Sequence, residues 1–170
     1  EKAEWYIDVM SRMGVTTVEG KSGYGLDKET EIKQLEVMKA INEDPMRKVD
    51  IATTFLGAHA VPTEYKGRED EYIDFLIKEM LPLIQEKGLA EHCDIFCEKG
   101  VFTVEQSRRL LQAAKERGFG VKIHADEIVS FGGAELAGEL QALSADHLLH
   151  ASDAGIQAMA DNHVVATLLP

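Results

Sequence analysis

The chain has 170 residues, 45% of them hydrophobic, and only four prolines, a composition that suits one globular core and no disordered tract. Eighteen Lys and Arg against thirty Asp and Glu give a net charge of −12, which repels phosphate backbones and excludes nucleic acid as an expected partner. No apolar run approaches the roughly 18–20 residues of a membrane span, and no charged-then-apolar leader opens the chain, so a soluble, cytoplasmic protein is expected.

Taken in chain order, the hydrophobic pattern switches between two periods. Apolar or β-branched runs at "GVTTVEGK" (14–21), "KVDIATTFLGAH" (48–59), "HCDIFC" (92–97), "GVKIHA" (120–125), "SADHLLH" (144–150) and "HVVATLLP" (163–170) read as strands. Between the first two, Ile32, Leu35, Met38 and Ile41 recur at helical spacing behind Asp27, a plausible N-cap. Tyr72, Phe75, Leu76, Met80 and Leu83 repeat that spacing, and Pro82 should kink the helix or end its regular part. "TVEQSRRLLQAAKERG" is the clearest helix, with a capping box from Thr103 and Gln106 and a C-terminal stop at Gly118. "GGAELAGELQA" and "SDAGIQAMADN" add two shorter helices, the second capped by Ser152.

Six strands alternating with five helices argue an α/β fold with a parallel sheet covered on its faces. No glycine-rich dinucleotide fingerprint follows the first strand, which weakens an open doubly wound sheet. A (β/α)8 barrel needs eight strands and roughly 250 residues, so by pattern alone this is either an open sheet or part of a longer barrel.

Cys93 and Cys97 fall on one face of a strand. Without a second pair or neighbouring histidines they read as buried thiols in a reducing cytoplasm rather than zinc ligands. His92 and His163 open their strands, at the end where structural roles dominate. His59, His124 and His147 instead sit at or near the carboxyl ends of three strands, where parallel α/β folds build active sites. One such histidine is ordinarily structural; three on one rim argue a shared site. His150, in the following loop, has no assigned role.

Within "VKIHADEI" (121–128), His124 suits a metal ligand through its neutral imidazole. Glu127, on the loop just beyond, could move protons in the same site. Asp126 is open between orienting a histidine and facing solvent. "KSGYG" (21–25) holds Tyr24 between two glycines, as a plain turn or as a loop that brings the tyrosine to a ligand.

Taken together, "EGKSGYGLD", "FLGAHAVPTEY", "DIFCEKGVFTVEQSRRLL", "VKIHADEI", "GGAELAGELQALSADHLLHAS" and "VVATLLP" resemble the imidazolonepropionase family of the metal-dependent amidohydrolase superfamily. H-A-D-E alone is weak; six motifs in register along essentially the whole chain are specific. The resemblance implies a (β/α)8 TIM barrel of the amidohydrolase type in which residues 1–170 are a partial catalytic domain holding strands two to seven. The family's small β-sandwich, the H-x-H metal pair of strand one and the aspartate ligand of strand eight have no counterpart here. Nor does the arginine that takes the substrate's propionate carboxylate, expected upstream of residue 1.

The implied reaction is hydrolysis of 4-imidazolone-5-propanoate to N-formimidoyl-L-glutamate in histidine degradation, with one mononuclear zinc or iron ion. By resemblance His124 matches the metal-binding histidine of strand five, and Glu127 the acid that carries protons between water and the leaving nitrogen while contacting substrate. His147 matches the strand-six histidine expected to polarise the attacking water or the oxyanion. Tyr24 and His59 match substrate-contacting residues. Gly20 stands where a branched aliphatic residue is expected, and should loosen its strand. A homodimer is implied, and the segment alone should be inactive.

Two rivals are open. A different cyclic amidohydrolase or deaminase of the superfamily would keep His124 and His147 but change the substrate loops. A metal-free barrel lyase would use Lys21 or Lys122 as a Schiff base; Lys122 precedes His124 by two and so shares its face.

Overall fold

The computed structural model describes residues 2–169. In chain order it runs α1 (Lys2–Arg12), β1 (Thr17–Lys21), α2 (Lys28–Glu43), β2 (Asp50–Ala58), α3 (Glu69–Phe75), a π-helical turn (Leu76–Met80), α4 (Leu81–Lys87) and β3 (His92–Cys97). It continues through α5 (Val104–Glu116), β4 (Gly120–Ala125), α6 (Gly133–Leu140), β5 (Ser144–His147), α7 (Asp153–Asp161) and β6 (Val165–Thr167). The six strands form one sheet in sequential order, with every neighbouring pair parallel.

The expected caps form. Asp27 accepts the Thr30 amide at the start of α2, Thr103 and Gln106 close a reciprocal capping box on α5, and Ser152 accepts Gly155 N–H on α7. The break expected from Pro82 takes the form of the π turn just ahead of α4, because proline has no N–H to give the preceding turn. Helix α1 is an addition to the pattern reading. None of its residues is buried; its apolar positions Ala3, Tyr6, Ile7 and Met10 recur at helical spacing and line an open groove with Val18, Met38 and Ile41.

Two strands are shorter than expected. β5 ends on His147, where His147 and Leu148 both turn to positive φ, 76° and 62°, outside the extended region a continuing strand needs. β6 spans only Val165–Thr167, and His163 before it has φ 58°; Pro170, within the expected strand, lies outside the described residues. Gly20 does not loosen β1 through a void: a Cβ there would sit 2.7 Å from Ile51 Cγ2 and 2.8 Å from Met38 Sδ. Those two side chains already fill the space an aliphatic residue would take.

The two faces of the sheet differ chemically. One parity of each strand (Phe55, Cys93, Ile95, Val121, Ile123, Ala125, Ala145) joins the buried core with Leu35, Leu76, Leu110, Leu111 and Leu136 from the helices. The other parity carries Glu19, Lys21, Asp94, Lys122, His124 and Asp146. The sheet must curl around this polar face. Lys21 on β1 bonds Asp146 on β5 at 2.7 Å, and Lys122 on β4 bonds Glu19 on β1 at 2.8 Å. In a flat sheet, strands three or four places apart are about 14–19 Å from one another at 4.8 Å per step. The curled six-stranded sheet is a half-barrel with a charged lining.

Candidate functional site

At the carboxyl end of that lining, adjacent strands deliver their side chains in register. His124 lies beside Phe96 on β3 and beside Asp146 on β5. His147 follows one residue beyond Asp146, next to Ala125. Ring centroids of Tyr24 and His59 are 4.6 Å apart, those of His59 and His124 6.2 Å, and those of His124 and His147 5.2 Å. His147 Nε2 lies 3.6 Å from Glu127 Oε2. All five residues singled out from the sequence therefore stand in one continuous arc. His150 is exposed on the loop beyond, tied by its amide to the Asp126 carbonyl.

Beneath the arc lies a buried charge cluster. Lys21 Nζ donates to Asp94 Oδ2 at 2.6 Å and to Asp146 Oδ2 at 2.7 Å. Asp94, fully buried, also pairs with His124 Nδ1 at 3.1 Å. Burial by itself would push the Asp94 carboxyl up, but hydrogen bonding and charge from His124 and then Lys21 outweigh it and hold it below the usual carboxylate range. Burial likewise works against the Lys21 charge, and its two carboxylates overcome that and raise it well above its ordinary value. At His59, burial, reinforced by the nearby His124, holds the imidazole below its usual value.

His124 turns its Nδ1 to Asp94, which leaves Nε2 directed away from that carboxylate, the orientation found in metal-ligating histidines. Asp94, His124 and Asp146 each offer a ligand atom, and these lie within 4.8 Å of one another. That donor set fits a cation, although Lys21 already supplies positive charge to both carboxylates. The same contacts work against a Schiff-base lysine: imine formation needs a neutral amine, and Lys21 is clamped in the charged form.

Asp126 does neither of the things open to it from sequence. It is fully buried, and its carboxylate bonds main-chain amides rather than a histidine ring. It accepts N–H groups from Phe131 (2.6 Å), Gly132 (3.0 Å), Gly133 (3.4 Å) and Ala134 (2.8 Å), gathering the orphan donors at the start of α6. Glu98, at the exit of β3, accepts Ile128 N–H at 2.8 Å. These two acids fix the backbone on either side of Glu127. Cys93 and Cys97 are free, buried thiols.

Asp94, Asp146 and Glu98 escape a reading based on motifs. A signal for the first existed: an aspartate inside the apolar run "CDIFC" must find a partner if that strand is buried.

No family model matches the chain. Among curated proteins it is 79% identical over 169 residues to an imidazolonepropionase of Phocaeicola vulgatus, covering 99% of this chain and 41% of that protein. It is 74% identical to one of Bacteroides thetaiotaomicron, covering 99% and 40%, and 62% identical to one of Clostridium tetani, covering 100% and 40%. The chain thus spans about 40% of the length of these relatives. Among solved structures it superposes on a Xaa-Pro dipeptidase with bound methionine in the active site, with TM-score 0.67, 19% identity and coverage of 96% of this chain and 44% of the other. A phenylurea hydrolase B gives TM-score 0.52 at 13% identity, with coverage of 95% and 45%. These two likenesses concern the fold; the curated relatives concern the lineage. Over the stretch it covers, the chain belongs to the imidazolonepropionase family.

Proposed function

We propose that the protein carrying this segment hydrolyses 4-imidazolone-5-propanoate to N-formimidoyl-L-glutamate, and that the half-barrel supplies strands two to seven of a (β/α)8 barrel. The observation that carries this is the arc of Tyr24, His59, His124, His147 and Glu127 at the carboxyl rim. Its support from lineage is the identity to curated imidazolonepropionases. The curl of the sheet supports the barrel.

In this reading His124 would hold one metal ion, zinc or iron, with Asp94 fixing the ring. When bound, that ion supplies Lewis-acid activation of water at neutral pH. Glu127 takes the proton from the attacking water and returns it to the departing ring nitrogen; its 3.6 Å separation from His147 Nε2 supports a shared role for the two groups. His147 stabilises the developing oxyanion. His59, whose imidazole burial holds below its usual value, hydrogen-bonds the substrate, and Tyr24 closes over the same side. The assembly is a cytoplasmic homodimer, as the family resemblance implies.

The test is loss of imidazolonepropionate absorbance with the full-length protein reconstituted with zinc or iron. Turnover abolished by His124→Ala and reduced at least about a hundredfold by Glu127→Gln fits the reading. No turnover with metal bound would discard the substrate and favour another cyclic amide.

A further inference from the structure

The loop that presents Tyr24 is held by an acid to which no role has been assigned. Glu31 lies on α2, one turn beyond its N-cap, on the buried face shared with Ile32 and Leu35. It is 1% exposed. An acid buried there must be satisfied, and its carboxylate takes its hydrogen bonds from main-chain amides. Gly23 N–H donates to both oxygens, at 3.0 and 2.9 Å, and Gly25 N–H donates to Oε1 at 2.7 Å. The two glycines are the immediate neighbours of Tyr24.

Both glycines are required by this contact. A Cβ on Gly25 would lie 2.7 Å from Glu31 N and 2.8 Å from Oε1, inside the space the carboxylate needs. Gly23 has φ +120° and a Cβ there would meet Leu56 O at 2.7 Å and His59 Cβ at 3.0 Å. The loop is thus pressed between Glu31 on one side and the end of β2 beside His59 on the other. Tyr24 at its tip is 79% exposed yet sits in ring contact with His59. An exposed tyrosine on a two-glycine loop would otherwise sample many backbone states. We propose that Glu31 is a positioning residue: its carboxylate fixes the Gly23–Gly25 backbone so that Tyr24 meets the substrate already in its bound orientation. The inference rests on the reading of Tyr24 as a substrate contact.

The test uses the full-length protein as wild type, Glu31→Gln, Tyr24→Ala and the double variant. Glu31→Gln removes the charge and, with its carbonyl oxygen kept on the Oε1 contacts, sets an N–H₂ against the Gly23 N–H that now meets Oε2 at 2.9 Å. It is expected to raise KM about tenfold with kcat within about twofold, because the loop is then ordered on binding rather than on folding. In the Tyr24→Ala background the same change should move KM by less than about twofold. Hydrogen exchange should accelerate in the peptide over residues 22–26 and stay unchanged over 121–127. Equal KM effects in both backgrounds, or unaltered exchange at 22–26, would overturn the proposal. Absence of wild-type turnover would instead defeat the proposed reaction, while the exchange arm would still decide whether Glu31 orders the loop. Should Glu31→Gln fail to fold, Glu31→Asp, which keeps the charge and withdraws it by one methylene, takes its place in both measurements.

Discussion

Replacing Lys21 by methionine keeps most of the side-chain volume and removes the charge that serves Asp94 at 2.6 Å and Asp146 at 2.7 Å. The side chains of Asp94 and Asp146 are 0% and 8% exposed, so water cannot take over. Breaking a buried ion pair from one side costs about 3–5 kcal/mol. The folded variant has one escape, which is to protonate a carboxyl. Holding a proton at pH 7 on a group whose ordinary pKa is near 4 costs about 4 kcal/mol, at 1.36 kcal/mol per unit. That figure caps the loss at neutral pH, and the cap falls to about 1.4 kcal/mol at pH 5.

The sign for the wild type is opposite. Asp94 is held below its ordinary value in the fold, so its stabilisation is present above about pH 4 and disappears as pH falls through the lowered value. Lys21 is raised, so its share is complete below about pH 10.5 and is lost only above that. The Asp94 and Lys21 shares of wild-type stability are therefore level between about pH 5 and 9, while the variant recovers on acidification. Urea unfolding of full-length wild type and Lys21→Met at pH 7 and pH 5, followed by circular dichroism, should give differences of about 4 and about 1.4 kcal/mol. A difference under about 1 kcal/mol at pH 7, or one that does not change with pH, would refute the claim that Lys21 neutralises two buried acids.

Asp126→Ala strips the acceptor from four amides around the start of α6; it should cost about 2–4 kcal/mol in urea unfolding, with Asp126→Asn recovering part of the loss. Burial pushes the Cys97 thiol up to about 11 and moves Cys93 in the same direction. Neither should be modified by a thiol reagent at pH 8 in the native protein, and both should react in urea, as read by peptide mass spectrometry.

The sequence by itself determined the strand–helix alternation, because one buried face and one capped start per element are local properties. Asp27, Thr103, Gln106 and Ser152 act within a turn of their own position. It also set His59 and His124 at the carboxyl rim, where their apolar runs stop, whereas at β5 the run continues through Leu149 and the turn to positive φ at His147 and Leu148 ends the strand. Only the tertiary structure decided what those rim residues stand on. Lys21 meets Asp146 across 125 positions of sequence because the sheet curls, and curvature is a collective property of strands and helices packing together. The same curl separates the fates of acids that look alike in sequence. Asp126 ties down a loop, Asp94 holds a histidine and Glu127 faces His147, according to which groups the folded backbone brings up to each.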